Sequence, residues 1–396
     1  MRSKPRRPRG RWRGHSASDM RVTDPFGAAF DRARARSASG RVPEIVSIET
    51  ALPPHRLTAA ETKRHIAEYL PPSAAERYAR IVDGTRIRER FTAVPPATLL
   101  RLRTIQERND AYAPYARALA EQVAMRALAA AGDEPPETAT TMVSVSCTGY
   151  MLPSIDAHLL TRLGLPATTR RVPITELGCS AGVGALGLAA ELLDRRVPGR
   201  VVIVSVELSS FGVQMAEPST TDMFANLLFS DGAAAVVVSG AARGVGPEIV
   251  ATHTALWPDS TDQLGMRLTD GGFRLVLSAH LPRLIQSRLG ALVDAFLTRY
   301  GVAREDLGFW VVHPGGPRII EAVAESLRLS TRDLAPTWDV WQACGNVSSA
   351  TVFFILRHIA ETTPPSPGAL GLMLAFGPGV SCELVLLRAG GWLAAA

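Results

Sequence analysis

One stretch, Arg171–Asp194 (RVPITELGCSAGVGALGLAAELLD), constrains most sharply what this chain can fold into. Val172–Leu177 is a short apolar run that reads as a buried strand. Gly178-Cys179-Ser180-Ala181-Gly182 follows as a tight turn of small residues. Val183, Leu186, Leu188, Ala189, Leu192 and Leu193 then recur at helical spacing. A strand that turns through glycines into an apolar helix belongs to an α/β layer, with both elements buried. The same geometry sets Cys179 at a helix N-terminus, where the partial positive charge favours the thiolate, the nucleophilic form. A lone cysteine is more often a buried structural residue. The strand–glycine–helix setting turns the balance toward a nucleophile.

The same pattern recurs along the chain. Strands are expected at Ile45–Ile48, Thr141–Ser146, Val201–Val206 and Ala233–Val238, then at Ile249–Leu256, Phe309–Val312, Ala369–Phe376 and Glu383–Leu387. Helices are expected over the basic segment 58–91, the Ala-rich segment 111–131 and residues 155–163. Three more are expected at 281–299, after the turn His313-Pro314-Gly315-Gly316-Pro317 to about Leu327, and at 348–360. Strand and helix alternate on both sides of Gly240, which predicts an α/β fold of two similar halves, 41–240 and 241–396, each with a mixed sheet between helices. Residues 1–40 are rich in Arg, Ser, Pro and Gly and are expected to be a disordered basic extension.

The net charge of +6 invites a nucleic-acid reading. Much of it, however, is local: Arg2, Lys4, Arg6, Arg7, Arg9, Arg11 and Arg13 crowd the first fourteen residues. The rest of the chain is close to balanced, so no nucleic-acid partner is expected beyond the tail. No apolar run approaches the roughly 20 residues of a membrane span. The four cysteines, Cys147, Cys179, Cys344 and Cys382, are far apart and lack CxxC spacing, so neither a zinc site nor a disulfide framework is indicated. Reduced thiols in a cytoplasmic enzyme without a metal are the simplest reading.

Two further residues share the setting of Cys179. His313 ends the apolar strand Trp310-Val311-Val312 and precedes Gly315-Gly316; Asn346 follows Gly345 and opens an apolar helix. An imidazole at such a strand end can pair with a thiolate and donate to a carbonyl oxygen. An Asn amide donates without losing a proton. Donors converging on one oxygen stabilise an enolate. Cys, His and Asn together suit decarboxylation of a malonyl thioester, which needs its developing enolate held and no general base.

The motifs carry a resemblance. ELGCSAG at 176–182, LFSDGAA at 228–234, WVVHPGGPRII at 310–320, GNVSSATVFF at 345–354 and AFGPGVSCEL at 375–384 resemble type III polyketide synthases, the chalcone/stilbene synthase-like family of the thiolase superfamily. The resemblance runs from about residue 41 to the end. It implies a thiolase-like αβαβα layered fold. The implied activity is an acyltransferase that loads an acyl-CoA starter, extends it with malonyl-CoA by decarboxylative condensation and cyclises the product. CoA thioesters are then substrates, and no cofactor is implied.

By the same resemblance, Cys179 is the nucleophile and His313 and Asn346 its partners. Phe229 is the gatekeeper between CoA tunnel and cavity. Leu275 stands at the second gatekeeper position, with Phe273 two residues away, which implies a wider passage. Ser348 lines the cavity beside Asn346, and the turn Phe376-Gly377-Pro378-Gly379 shapes its floor. Cys147 matches a position that is also cysteine in bacterial tetrahydroxynaphthalene synthases and usually threonine in plant members; it either tunes cyclisation or lines the cavity. Gly212 stands where a larger residue is common and enlarges the cavity. Leu152 matches a residue that reaches into the partner subunit, implying a homodimer. Arg77 and Arg80 match residues that bind CoA phosphates, while the third basic position is Gly84. Gly212 and Leu275 point to a fatty acyl starter and an alkylpyrone or alkylresorcinol. Cys147 points instead to a malonyl starter and a naphthalene product.

Three rivals stand beside this reading. A ketoacyl synthase III-like enzyme shares Cys-His-Asn and stops after one condensation, but usually lacks the HPGGPRI and FGPG segments. A papain-type hydrolase places its cysteine in a different local context. A nucleic-acid or membrane-binding protein would work through the arginine-rich tail.

Overall fold

The computed structural model describes residues 42–132, 135–193, 199–212, 220–241 and 243–391, so the extension 1–40 lies outside the described residues. Its strands are β1 (Glu44–Ala51), β2 (His55–Thr58), β3 (Glu89–Thr92), β4 (Ala139–Val145), β5 (Arg170–Ile174), β6 (Arg200–Leu208) and β7 (Asp231–Ser239). They continue with β8 (Glu248–Leu256), β9 (Leu264–Thr269), β10 (Gly272–Leu277), β11 (Leu307–Val312), β12 (Leu370–Gly377) and β13 (Ser381–Arg388). The main helices are α1 (Ala59–Tyr69), α2 (Pro72–Thr85), α3 (Ile105–Ala130), α4 (Ile155–Arg162) and α5 (Ala181–Leu192). They continue with α6 (Thr220–Leu228), α7 (Leu281–Thr298), α8 (Pro317–Leu327), α9 (Ala335–Cys344) and α10 (Thr351–Thr362).

Nine strands form one mixed sheet in the order β11-β12-β13-β8-β1-β7-β6-β4-β5. β1 and β8 meet at a single register pair, Glu44↔Glu248, so the sheet consists of two leaves joined at one contact. Buried Glu44 is satisfied there by the backbone N–H groups of Arg243, Gly244, Val245 and Gly246. Strands buried on both faces read as continuous apolar runs, and their alternate residues feed different layers. Val201 and Ile203 of β6 face the central layer with α5 and α10, whereas Val202, Val204 and Val206 face the outer layer with α3 and α4. In the other leaf Phe309 and Val311 of β11 face the centre, while Trp310 and Val312 face α7 and α8. The stacking is therefore helix, sheet, helix, sheet, helix, the thiolase-like arrangement. Each fully buried Val, Leu, Ile or Phe contributes about 1.5–3 kcal/mol before entropy is counted.

The structure differs locally from expectation. The basic segment 58–91 is two helices and a strand. Pro71-Pro72 interrupts it, and Pro72 starts α2 at the position where proline's missing N–H costs nothing. The run after Arg171 leaves the sheet at Ile174, because Thr175–Leu177 must bend to deliver the Gly178–Ser180 turn. α3 starts earlier, at Ile105, where Thr104 and Glu107 form a reciprocal cap. The β9–β10 hairpin was not expected from the sequence pattern; it stands apart from the main sheet and covers the site described next.

Candidate active site

The central helices α5 and α10 both follow candidate residues. Cys179 lies in a 3₁₀ turn (Gly178–Ser180) that runs into α5, and Asn346 precedes the 3₁₀ turn Ser348–Ala350 that runs into α10. Gly182 lets the helices touch: a Cβ there would lie 2.1 Å from the Ser349 carbonyl oxygen. Gly377 in the FGPG turn presses on the cysteine turn, since its Cβ would lie 2.2 Å from Ser180 Oγ and 2.6 Å from the Leu177 carbonyl oxygen. Gly178 has φ +54° and packs on Pro378. These close approaches explain the glycines of both motifs.

Cys179, His313, Asn346, Ser348, Cys147, Phe229, Leu275, Phe376 and Gly377 line one cavity of about 370 Å³. Asn346 is fixed twice. Its backbone N–H donates to the Leu228 carbonyl at 2.9 Å, and its carbonyl accepts from Ser230 N–H at 2.9 Å. Its side-chain Oδ1 accepts from Ser348 N–H (2.8 Å) and Thr351 Oγ1 (3.3 Å), which leaves the amide NH₂ as the group available to the cavity. Ser348 has a left-handed backbone (φ +48°), a strained state for a non-glycine residue. That conformation places Ser348 Oγ 3.6 Å from Cys179 Sγ and 3.4 Å from Cys147 Sγ.

Burial governs the electrostatics. It pushes the Cys179 thiol up to about 11, against hydrogen bonds from Ser348 and Asn346 that pull it down. The thiolate-favouring effect expected from the helix start is thus outweighed by desolvation. Burial also pushes His313 down to about 3, and among the described residues neither ring nitrogen has a hydrogen-bond partner. The uncommitted buried imidazole of His313 and the Cys179 thiol line the same cavity, and a thiolate–imidazolium pair formed between such groups is mutually stabilised at low dielectric.

Sequence reasoning missed Glu207, the residue after the apolar run Val201–Val206 in β6. Its buried carboxyl accepts from Cys147 N–H (3.0 Å), Thr148 Oγ1 (3.0 Å) and Ser349 Oγ, and it contacts Cys147 Sγ at 3.5 Å. Burial raises its pKa and, with Glu207 adjacent, raises that of Cys147 well above the usual thiol range. A charged residue closing a buried strand was the available signal.

A second, apolar lobe of about 160 Å³ continues past Cys147 and Phe229, lined also by Leu57, Ile66, Leu99 and Gly212. Leu275 and Phe273, two residues apart on β10, share one strand face, and both line both lobes. The passage is therefore walled by an aromatic residue as well as the expected leucine. A third space, of about 600 Å³, joins the catalytic cavity along Leu228, Leu277, Gly315 and Ile319. Arg77 and Arg80 line it as expected, and so does Arg318 at the first turn of α8, which sequence reasoning did not single out; Gly84 leaves its own position open. Two expected residues do not line the cavity. Gly379 serves the turn itself, with φ +74° and its Cβ position 3.2 Å from Leu256. Leu152 is 84% exposed beside exposed Tyr150, next to the Cys147–Gly149 wall. Among the described residues no group of His, Cys, Asp and Glu is arranged to hold a metal ion.

Comparison with known proteins decides what this arrangement belongs to. Residues 31–242 match chalcone and stilbene synthases, N-terminal domain, and residues 248–390 match chalcone and stilbene synthases, C-terminal domain. The chain belongs to the chalcone and stilbene synthase family. Among its relatives is a 1,3,6,8-tetrahydroxynaphthalene synthase of Streptomyces peucetius subsp. caesius, 37% identical over 87% of this chain and 92% of that one. Another is the alpha-pyrone synthesis polyketide synthase-like Pks18 of Mycobacterium tuberculosis, 30% identical over 86% of this chain and 90% of that one. The solved tetrahydroxynaphthalene synthase of Streptomyces coelicolor A3(2) superposes with a TM-score of 0.83 at 28% identity, covering 88% of this chain and 99% of that one. The protein is thus a type III polyketide synthase, a condensing acyltransferase, which sets aside the hydrolase reading and the single-condensation one. No helix among the described residues of the synthase is long and apolar enough to cross a membrane.

Proposed function

We propose that the synthase loads an apolar, fatty acyl starter on Cys179, extends it with malonyl-CoA and cyclises it to an alkylpyrone or alkylresorcinol. The observation that carries this is the apolar lobe that runs from the Cys179 cavity past Phe229 to Gly212. Each methylene buried there contributes about 0.8 kcal/mol to binding. His313 takes the Cys179 proton, and the thiolate attacks the starter thioester with release of CoA. Malonyl-CoA then enters from the arginine-lined space, its phosphates held by Arg77, Arg80 and Arg318. His313 and the Asn346 NH₂ donate to its thioester oxygen. CO₂ departs, the enolate carbon attacks the Cys179-bound acyl group, and the thiolate leaves. The lengthened chain, now on CoA, returns to Cys179 for the next round. Carbon dioxide loss drives the bond formation, so the chemistry calls for no redox cofactor or metal.

The synthase is also read as a cytoplasmic homodimer. Cys147, Cys179, Cys344 and Cys382 are free thiols, and exposed Leu152, Tyr150 and Leu177 flank the cavity wall where a second copy would cover them. The two leaves are read as the halves 41–240 and 241–396. A second product, tetrahydroxynaphthalene from a malonyl starter, is favoured by Cys147 beside Glu207 and by the 37% identical relative. Mass spectrometry of the purified protein with malonyl-CoA and a panel of acyl-CoA starters, beside Cys179→Ala, separates the two. Alkyl-substituted pyrones or resorcinols from long-chain starters, absent in the variant, support the first. A naphthalene product from malonyl-CoA alone supports the second and refutes the first.

A further inference from the structure

We propose that Arg90 is a positioning residue that holds the Phe229 neck and the Asn346 donor in one register, so that malonyl-CoA decarboxylation depends on it while starter loading does not. Arg90 lies on β3, a two-stranded unit separate from the main sheet, and lines the apolar lobe. Its Nη1 donates to the carbonyl of Asn226 at 2.7 Å and to that of Phe229 at 3.4 Å. These carbonyls end α6, where unpaired C=O groups and the helix dipole both favour a cation. The next carbonyl in that corner, of Leu228, is the acceptor for Asn346 N–H. The stem of Arg90 packs from the other side: a Cβ on Gly345, which has φ +70°, would lie 3.5 Å from Arg90 Cγ and 3.1 Å from the Leu228 carbonyl oxygen. One side chain therefore bonds the segment that ends in Phe229 and closes the space beside Gly345, at the two segments that meet in the Phe229↔Asn346 bridge. The neighbouring backbone is tied to the same corner through Phe91 N–H to Ser230 Oγ (2.8 Å) and Ala93 N–H to Asp231 Oδ2 (2.8 Å).

The Cys179 backbone is held by other elements, the Gly178–Ser180 turn and the FGPG loop, and Asn346 reaches its thiol through one hydrogen bond beside that of Ser348, so a misplaced Asn346 falls mainly on decarboxylation. Donors must sit about 2.7–3.1 Å from the developing enolate oxygen, and a misplacement of about 1 Å costs on the order of 100-fold in rate. Without Arg90 the carbonyls at the end of α6 lose their charged donor, leaving the hydrogen bond from Asn226 Nδ2 to Tyr78 Oη (3.4 Å) in that corner, and the Asn346 amide shifts with the released carbonyls.

This rests on the condensing reading of the site, and the test measures the two steps apart. Starter loading is followed by intact-protein mass as acylation of Cys179, and decarboxylation by CO₂ release from malonyl-CoA. Arg90→Met keeps the stem and removes the donors. With a short acyl-CoA starter that ends within the Cys179 cavity and does not reach the lobe Arg90 lines, the expected result is loading within about twofold of wild type, decarboxylation lowered about 10- to 100-fold, and partial recovery in Arg90→Lys, whose single ammonium reaches one carbonyl. Equal loss of both steps in Arg90→Met, tracking a fall in Tm and unrelieved in Arg90→Lys, overturns the proposal by making Arg90 merely structural. Unchanged decarboxylation overturns it directly. A wild-type protein that neither loads nor decarboxylates overturns the condensing reading itself, an outcome distinct because it appears before any substitution.

Discussion

Gly212→Leu tests whether the second lobe holds the starter chain. Gly212 lines that lobe, and a Cβ built on it meets no heavy atom of the described residues within 4 Å. Its φ lies outside the left-handed range, so a side chain is accepted without backbone strain. Leucine adds four carbons to a space of about 160 Å³. It therefore displaces about four acyl methylenes, each worth about 0.8 kcal/mol. The summed loss of about 3 kcal/mol corresponds to a fall on the order of 100-fold in kcat/KM for starters long enough to reach the lobe. Short starters that end within the Cys179 cavity keep their kcat/KM. The assay is kcat/KM across a series of acyl-CoA chain lengths, with products identified by mass spectrometry. The expected profile shifts its optimum downward by about four carbons. Equal loss at every length, or no change at any, refutes the placement of the chain in this lobe.

Arg318→Ala is expected to raise KM for malonyl-CoA several-fold with little change in kcat, and to make KM less sensitive to salt, since Arg318 is exposed and a solvent-screened charge contact is worth about 1 kcal/mol at most; steady-state kinetics at two ionic strengths checks it. Gly377→Ala forces a Cβ to within 2.2 Å of Ser180 Oγ, so the cysteine turn must shift; thermal denaturation should show about 1–3 kcal/mol of lost stability, and Cys179 acylation should slow more than malonyl-CoA binding weakens. Glu383, buried with one hydrogen bond from Thr254 Oγ1 (2.7 Å), has its carboxyl raised by burial to about 7. The folded state thus keeps a proton that the unfolded chain releases near the ordinary carboxyl value of 4.5, so its contribution to stability is full below that value and lost as pH rises through about 7. Glu383→Gln should match wild type near pH 4.5 and exceed it at pH 8 by at most about 3 kcal/mol, read as Tm against pH.

That Cys179, His313 and Asn346 belong together was legible because each carries a local signature: an apolar strand or helix broken by glycine next to a reactive side chain; the structure brings the three to one cavity. The leaf architecture was legible for a related reason, since near-continuous apolar runs such as Val201–Val206, broken only by Ser205, and Ala233–Val238 occur when both faces are covered. The break at Pro71-Pro72 was visible but lost in a basic, helix-prone segment. The β9–β10 hairpin was missed because its faces are half-buried, so its alternation is weak.

What the sequence by itself determined was local: which residues are stiff, small or apolar, where chains turn, and therefore which elements must be buried and which side chains end at their junctions. What only the tertiary structure decided was everything set by approach between distant segments. Glu207 meets Cys147 and Ser349, Arg90 spans Asn226 to Gly345, and Arg318 joins Arg77 and Arg80, each across long stretches of chain. The ionisation of Cys179 and His313 was decided the same way. A helix start argues for a thiolate, but desolvation is a property of the whole enclosure, and here it prevails.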